Sequence, residues 1–354
     1  MFRTVNITRN AQSIEELTSL NFLVPIFGDI VSIEKEILKG SSSFSGSRHE
    51  KIFLHYKNKS PETLVLKIVS PAKDMTIWRS GDFPNREASL IGSEELREIW
   101  DIIQSPYVGY CSEKEESALL MYDLSPYLFP DVRERISLQD EELILQTLAR
   151  LHAKFWQKEL ACASWLAKQD VFYDFLGPNA TAEERKLGRT HPILDAVEQG
   201  WKLVEQNFPA ELSSFILNPP MEKFAAGLPK TLIHGDSKVG NFAILPGRKL
   251  SAFDWTNAGY ASPAIELGWY IAVNASRLST TKEDFLNRYR TALEKELGAS
   301  IDNASWQQMN LLAVLVGART LLWNKALNVQ KNLAGAKEEC LWWQAAIGKC
   351  YQWT

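Results

Sequence analysis

The 354-residue sequence has little cysteine, no sustained apolar run and no excess of charge of one sign. Its four cysteines, Cys111, Cys162, Cys340 and Cys350, form no CxxC pair and share no metal-ligand spacing with histidine. That argues against a disulfide framework or a zinc module, and for idle or buried thiols in a reducing cytoplasm. The N-terminal MFRTVNITRNAQSIEEL lacks the apolar core of a signal peptide, and LLAVLVGA at 311–318 is cut by Arg319 far short of a bilayer span. A soluble, cytoplasmic protein with no membrane partner is expected. The 39 basic and 43 acidic residues leave a net charge of -4 with no basic stripe, so nucleic acid is not an expected partner. Neither an internal repeat nor a long low-complexity linker is present.

What the chain does have is 45% hydrophobic residues, enough at this length for two lobes. SIEELTSL at 13–20 predicts a short helix with Ser13 as N-cap and Glu16 as its capping-box partner. From 30 to 69, IVSIEKEIL, KIFLHY and TLVLKIV predict an antiparallel meander, interrupted by the Gly/Ser-rich KGSSSFSGSR and a turn at KNKSPE. Helical spacing of Leu90, Leu96, Ile99 and Ile103 predicts one helix between 85 and 104, and SALLMYDL at 117–124 one more buried strand. After Ser125 the texture turns helical, beginning with a helix at 137–160 started by Ser137 and an acidic first turn, with further helices at 191–207 and over much of 280–350. Only LPKTLIHGD, FAILP and LSAFDW, between 228 and 255, look extended. The expected class is α+β, with a β-rich lobe at 1–124 and a larger, mainly helical lobe at 125–354. Most of the 12 tryptophans lie after residue 150, where packing explains them more simply than ligand stacking.

HGDSKVGN at 234–241, followed by FDW at 253–255, carries the chemistry. Phosphoryl transfer needs a carboxylate to orient a hydroxyl and accept its proton, oxygen ligands for magnesium, and positive charge on the nucleotide phosphates. Asp236 suits the base, while Asn241 and Asp254 offer the hard oxygens that magnesium prefers. The aspartate-to-asparagine spacing equals that of the HRDxxxxN kinase loop, and extended segments on both sides would hold the loop firmly. Asp, Ser, Gly and Asn are also ordinary turn formers, and only the FDW beyond a second apolar strand lifts the loop above turn chemistry.

The segment 231–271, TLIHGDSKVGNFAILPGRKLSAFDWTNAGYASPAIELGWYI, resembles the aminoglycoside phosphotransferase and choline kinase superfamily of small-molecule kinases, as does LARLHAKFW at 148–156. The likeness spans nearly the whole chain and implies a bilobal, protein kinase-like fold, ATP and Mg2+ as cofactors, and a small-molecule hydroxyl acceptor. It implies Asp236 as catalytic base and Asn241 and Asp254 as metal ligands. Lys67 in LVLKIV stands where the family has its phosphate-binding lysine, although taken alone it also reads as a solvent-facing strand residue. Glu87 is its partner by likeness, with Glu94, Glu95 and Glu98 on the same predicted helix and not separable by spacing. The loop Gly40, Ser41, Ser42, Ser43 to Gly46, whose far end lies 21 residues before Lys67, is placed to cover the phosphates, or is simply a flexible turn. Met121, Tyr122, Asp123 and Leu124 resemble the adenine-binding hinge, or end a buried strand. His234 is expected to hold the loop's shape by bonding backbone, and the charge run Glu113, Glu115, Glu116 to be solvated.

Three departures qualify the likeness. HGD and FDWT replace HRD and DFG, and no APE segment follows, which disfavours protein substrates and activation-loop control. Glu266 stands where the family usually has aspartate. SKV follows the base in place of LHP or FHP. A pseudokinase or ATP-binding scaffold is the rival expectation, opposed by the intact set of Lys67, Asp236, Asn241 and Asp254.

Overall fold

A computed structural model describes residues 8–38, 46–72, 74–82, 85–113 and 116–354. Gly40, Ser41, Ser42, Ser43 and Glu115 lie outside the described residues. The strands are β1 (Arg9–Asn10), β2 (Ile30–Ile37), β3 (Arg48–Tyr56), β4 (Glu62–Val69), β5 (Tyr107–Ser112), β6 (Ser117–Tyr122), β7 (Ala167–Lys168), β8 (Thr231–Ile233), β9 (Phe242–Leu245), β10 (Lys249–Ala252) and β11 (Gly259–Ala261). The helices are α1 (Ile14–Leu17), α2 (Leu20–Phe27), α3 (Met75–Ser80), α4 (Arg86–Gly92), α5 (Ile99–Ile102), α6 (Leu138–Lys154), α7 (Ala180–Lys186), α8 (Pro192–Asn207), α9 (Ala210–Leu217), α10 (Met221–Ala225), α11 (Pro263–Val273), α12 (Lys282–Leu297), α13 (Asn303–Gln330) and α14 (Ala336–Trp353). No helix among the described residues is long and apolar enough to cross a membrane.

The α+β class expected from the sequence is what the chain forms. It divides into two compact units: Met1–Asp131 with Leu160–Leu166 and Gly240–Ala258, and Val132–Glu159 with Ala167–Val239 and Gly259–Thr354. This division is more than the single cut after residue 124 that composition suggested. The β9–β10 hairpin joins the first unit because Gln104 N–H donates to Leu250 O (2.8 Å), Ser251 Oγ donates to Gln104 O (2.7 Å), and Ala243 and Leu245 pack with Leu124. Such long-range pairing leaves no trace in local composition.

The first unit is built on a six-stranded sheet of order β1-β5-β6-β4-β3-β2, with β2, β3 and β4 forming the expected antiparallel meander. In β4, Leu64, Leu66 and Ile68 face a core shared with Ile52, Leu54, Val108 and Leu120. Strand alternation puts Lys67 on the opposite face. Ser13 Oγ accepts from Glu16 N–H (3.1 Å) as the capping pattern requires, but the Glu16 carboxylate reaches back to Gln12 N–H (2.6 Å) and the helix breaks at Thr18 before α2 begins. The single helix expected between 85 and 104 is instead two, α4 and α5, separated by a turn. At Gly92 an added Cβ would lie 2.4 Å from Tyr110 Oη, and Ser93 Oγ then accepts from Leu96 N–H, turning the chain.

The second unit is mainly helical, with a small sheet of order β7-β11-β8. Its long α13 is buried on all sides, from Trp306 through Leu315 to Leu327. Helices α11 and α13 cross at glycines: an added Cβ on Gly268 would stand 2.3 Å from Ala313 O, and one on Gly317 would stand 2.6 Å from Gly268 O. This backbone contact fixes α11, and α11 carries Glu266 and Trp269.

Candidate active site

In the first unit, Lys67 is buried and its Nζ lies 2.7 Å from Glu87 Oε2 and 2.7 Å from Asp254 Oδ1. Burial alone would push the ammonium toward its neutral form. The Asp254 and Glu87 carboxylates overcome this and raise its pKa, so the lysine stays charged. The partner among the four glutamates is therefore Glu87. Glu94 pairs weakly with Arg97 across solvent, and Glu95 accepts from the N–H groups of Ala161 and Cys162.

Glu87 Oε1 is used as fully: Tyr107 Oη donates to it at 2.6 Å and Asp254 N–H at 2.8 Å. Burial, with Glu87 beside it, raises the Tyr107 pKa, which keeps its hydroxyl a donor. Asp254 itself takes a left-handed backbone conformation (φ 65°, ψ 55°), uncommon for a residue with a side chain. Thr256 Oγ1 donates to its Oδ1 at 3.0 Å, and its side chain remains one-third exposed. Asn241 is buried, and its carbonyl accepts from Phe253 N–H (3.2 Å) just beyond the last pair of the hairpin ladder, Phe242 with Ala252. Ladder register thus puts residues 241 and 254 at the same open end of the β9–β10 hairpin.

Nothing in the local sequence marks Arg86. Its buried guanidinium donates to Trp165 O (2.9 Å), Ser80 O (2.6 Å), Ser80 Oγ (3.0 Å) and Thr256 O (3.4 Å). It ties α4, the segment 160–166 and the turn after Asp254 together. Asp82 Oδ1 accepts from Arg86 N–H at 2.6 Å, and burial pushes the Asp82 carboxyl up to about 7.

Gly46 has a positive φ of 75° ahead of β3. At the expected hinge, Tyr122 N–H donates to Pro106 O (2.9 Å) and Asp123 N–H to Thr63 O (3.3 Å). Met121 sits within the ladder, paired with Val65 and Tyr107. The N–H groups of Tyr122 and Asp123 are thus not available to a base, which narrows any adenine contact to the other backbone groups of residues 121–124.

In the second unit, residues 234–239 form a loop after β8 that is held from below by one carboxylate. Glu266 Oε2 accepts from His234 N–H (2.6 Å) and Oε1 from Gly235 N–H (3.2 Å). Glutamate at this position does brace the loop. Although Glu266 is fully buried, which by itself would raise its pKa, contact with His152 and the nearby His234 holds it below the usual carboxylate range. His152 Nε2 is 3.5 Å from Glu266, and its Nδ1 is 2.6 Å from Tyr289 Oη. Gly235 requires glycine, since its φ is 78°. His234 Nδ1 accepts from Asp236 N–H at 3.2 Å, the loop-shaping role expected of it.

Asp236 is nearly buried, and each of its oxygens meets a donor. Trp269 Nε1 donates to Oδ1 and Lys238 Nζ to Oδ2, both at 2.9 Å. Sequence reasoning passed over both residues. Trp269 had one readable signal: it stands three residues after Glu266, on the same face of α11, and so shares the loop-facing side. Lys238 lies inside SKV, the triplet already marked as unusual. Asn274 completes the frame, accepting from Val239 N–H (2.9 Å) and donating to Ser237 O (3.2 Å).

A profile of the phosphotransferase enzyme family matches residues 122–309, more than half of the chain. No curated protein matches the sequence. Among solved structures, choline kinase LicA from Streptococcus pneumoniae is similar at 14% identity, over 95% of this chain and 98% of that chain, with a TM-score of 0.44. Macrolide 2'-phosphotransferase MphH from Brachybacterium faecium is similar at 15% identity, over 93% and 97%, with a TM-score of 0.44. Choline kinase from Cryptosporidium parvum is similar at 10% identity, over 90% and 89%, with a TM-score of 0.48.

Proposed function

The chain belongs to the phosphotransferase enzyme family, and from that premise we propose that it moves the γ-phosphate of ATP to a hydroxyl of a small molecule such as an amino alcohol, a sugar or an antibiotic-like acceptor. The observation that carries the proposal is the buried contact of Lys67 with Glu87 and Asp254, which joins three segments far apart in sequence into one charged cluster. A lysine kept charged in this way suits nucleotide phosphates.

Asp236 is assigned as the base. It accepts the proton of the acceptor hydroxyl as that oxygen bonds the γ-phosphorus; the bond from the γ-phosphorus to the β-bridging oxygen breaks, ADP leaves, and Asp236 returns the proton to solvent. Trp269 and Lys238 orient the carboxylate, and Glu266 and Asn274 hold the loop that carries it. Asn241 and Asp254 would hold Mg2+. Their amide and carboxylate oxygens are the hard donors that such a cation would take, and the Asp254 side chain is one-third exposed. When bound, the ion supplies charge neutralisation at the phosphates.

A second reading, a nucleotide-binding scaffold without turnover, draws on the Lys67–Asp254 contact, which engages the assigned phosphate-binding and metal-binding groups with each other. The two readings separate when ADP release and product formation are followed with Mg-ATP over amino alcohols, sugars, aminoglycosides and macrolides. Transfer to at least one acceptor, absent in Asp236→Asn, is expected. Nucleotide binding without transfer to any of them favours the scaffold, and an Asp236→Asn variant within a few-fold of the parent overturns the assignment of the base.

A further inference from the structure

The second unit contains a cavity of about 740 Å³ that no step of the proposed transfer uses, and its volume is in the range that holds small molecules. Asp236 and Trp269 are not among its lining residues. One wall is an unusual charge arrangement: Glu339 Oε2 meets Lys282 Nζ at 2.5 Å, while Oε1 meets Lys325 Nζ at 3.4 Å and Trp343 Nε1 at 2.8 Å. Two ammonium groups, both in buried residues, share a single carboxylate. One positive charge in that wall is left without its own counter-charge.

Over the whole lining the basic side chains Arg133, Arg135, Lys282 and Lys325 exceed the acidic Glu283, Glu338 and Glu339 by one positive charge. Glu283 is engaged by Trp342 Nε1 at 2.7 Å, and the same Trp342 ring lies 4.4 Å from the Lys282 ammonium. Glu338 is solvent-exposed, and the exposed Arg133 and Arg135 outnumber it. Gly335 and Ala336 bring the N-terminus of the 18-residue α14 to the lining with no side-chain cap, so its leading N–H groups add partial positive charge. Burial depresses the Lys325 pKa, with Glu339 pulling the other way and the neighbouring Lys282 adding to the depression.

We propose that this cavity is a binding site for a small molecule bearing a carboxylate or phosphate group, received by Lys282, Lys325 and the rim arginines. The site reaches the loop of Asp236 through the backbone. Lys325 Nζ donates to Ala272 O (2.7 Å), Val273 and Ala275 line the cavity, and Asn274 between them holds Ser237 and Val239. An anion drawing on Lys325 acts on the segment that clamps the loop.

The test is calorimetric titration of the full chain, without nucleotide, with citrate and with inorganic phosphate at fixed ionic strength, beside choline and glucose. Saturable binding of citrate or phosphate is expected; which of the two binds distinguishes a carboxylate from a phosphate ligand. Losing one charge-assisted bond in Lys282→Gln should weaken binding by about tenfold or more. Arg135→Ala, at an exposed position where folding is not in question, should weaken it by a smaller factor. Lys337→Ala, exposed on α14 but outside the lining, should leave it unchanged. Hydrogen exchange at residues 237–239 should slow when the anion binds. Absence of saturable anion binding, choline binding at least as tight, or equal weakening by Lys337→Ala overturns the site, and unchanged exchange at 237–239 overturns its link to the loop. None of these readouts uses phosphoryl transfer, so failure here is distinct from failure of the proposed activity.

Discussion

The cluster around Lys67 and the loop around Asp236 solve the same problem, holding a charged side chain in place, by opposite means. Lys67 is fixed by other side chains: an ion pair on each side, from residues 20 and 187 positions away. Asp236 has side-chain partners too, Trp269 and the half-exposed Lys238, but the backbone that carries it is clamped as well: the N–H groups just before it end on the Glu266 carboxylate and the next stretch is held by Asn274. Buried ion pairs gain strength from the low dielectric but leave a bare charge when one partner is lost. A backbone brace keeps its shape when the braced side chain is changed. The two regions should therefore respond differently to comparable substitutions.

The largest expected effect is on chemistry alone. Asp236→Asn removes the proposed base, keeps an oxygen for Trp269 and leaves the half-exposed Lys238 to turn to solvent, with the Glu266 brace in place; we expect kcat to fall by about 10²–10⁴-fold with Mg-ATP affinity and urea midpoint nearly unchanged. A marked drop in the urea midpoint would show that the loop depends on its side chain after all. Lys67→Met should do the reverse and unfold easily, since it strands Glu87 and the partly exposed Asp254. A loss of about 3–5 kcal/mol is the scale for a broken buried pair, with the Asp254 share reduced by solvent, and urea denaturation measures it.

Breaking the brace is the next step down. Glu266→Ala leaves the His234 and Gly235 N–H groups without their acceptor and should cost about 1.5–3 kcal/mol while lowering kcat with Asp236 intact. Glu266→Asp, shorter by one methylene, should recover part of both. If Ala and Asp behave alike, the carboxylate is not the brace.

Acid and base should separate the two regions by sign. Asp82, beside Arg86, is pushed up from its ordinary 3.8 to about 7, so the folded state holds its proton longer than the unfolded chain. Its contribution is present below about 4 and is lost as pH rises toward 7. Glu266 lies below its ordinary 4.5, so its contribution is present above that value and is lost as pH falls through its folded pKa. Stability measured from pH 4 to 8 should fall less steeply in Asp82→Asn than in the parent, whereas the acid limb below pH 4.5 should flatten only in Glu266→Gln. The smallest effect is expected at Glu94, exposed and paired only with Arg97: Glu94→Ala should stay within about 0.5 kcal/mol.

These contrasts also explain what was readable in the sequence. The strands of the meander, Lys67 on β4 and the helices of the second unit follow from alternation and helical spacing, which are properties of near neighbours. Asp236, Asn241 and Asp254 stand out as candidates because their spacing lies within one short segment. Arg86 was not, because its acceptors come from residues 80, 165 and 256, and nothing local distinguishes it from a surface arginine. The split of the expected helix into α4 and α5 is partly local, at Gly92-Ser93, and partly tertiary, since the Tyr110 side chain from β5 packs where a side chain on residue 92 would lie.

By itself the sequence determined which residues are candidates for the proposed chemistry and which elements bear them, since side-chain type and periodicity are written in the chain. Tertiary structure alone decided the partners: Glu87 among four glutamates for Lys67, Trp269 and Lys238 for Asp236, and Glu339 shared between two lysines. The physical reason is range. A hydrogen bond or close ion pair acts over about 3 Å, whereas spacing along a helix or strand specifies neighbours only a few residues away. Which distant segments come within that range is settled by how strands pair and helices cross.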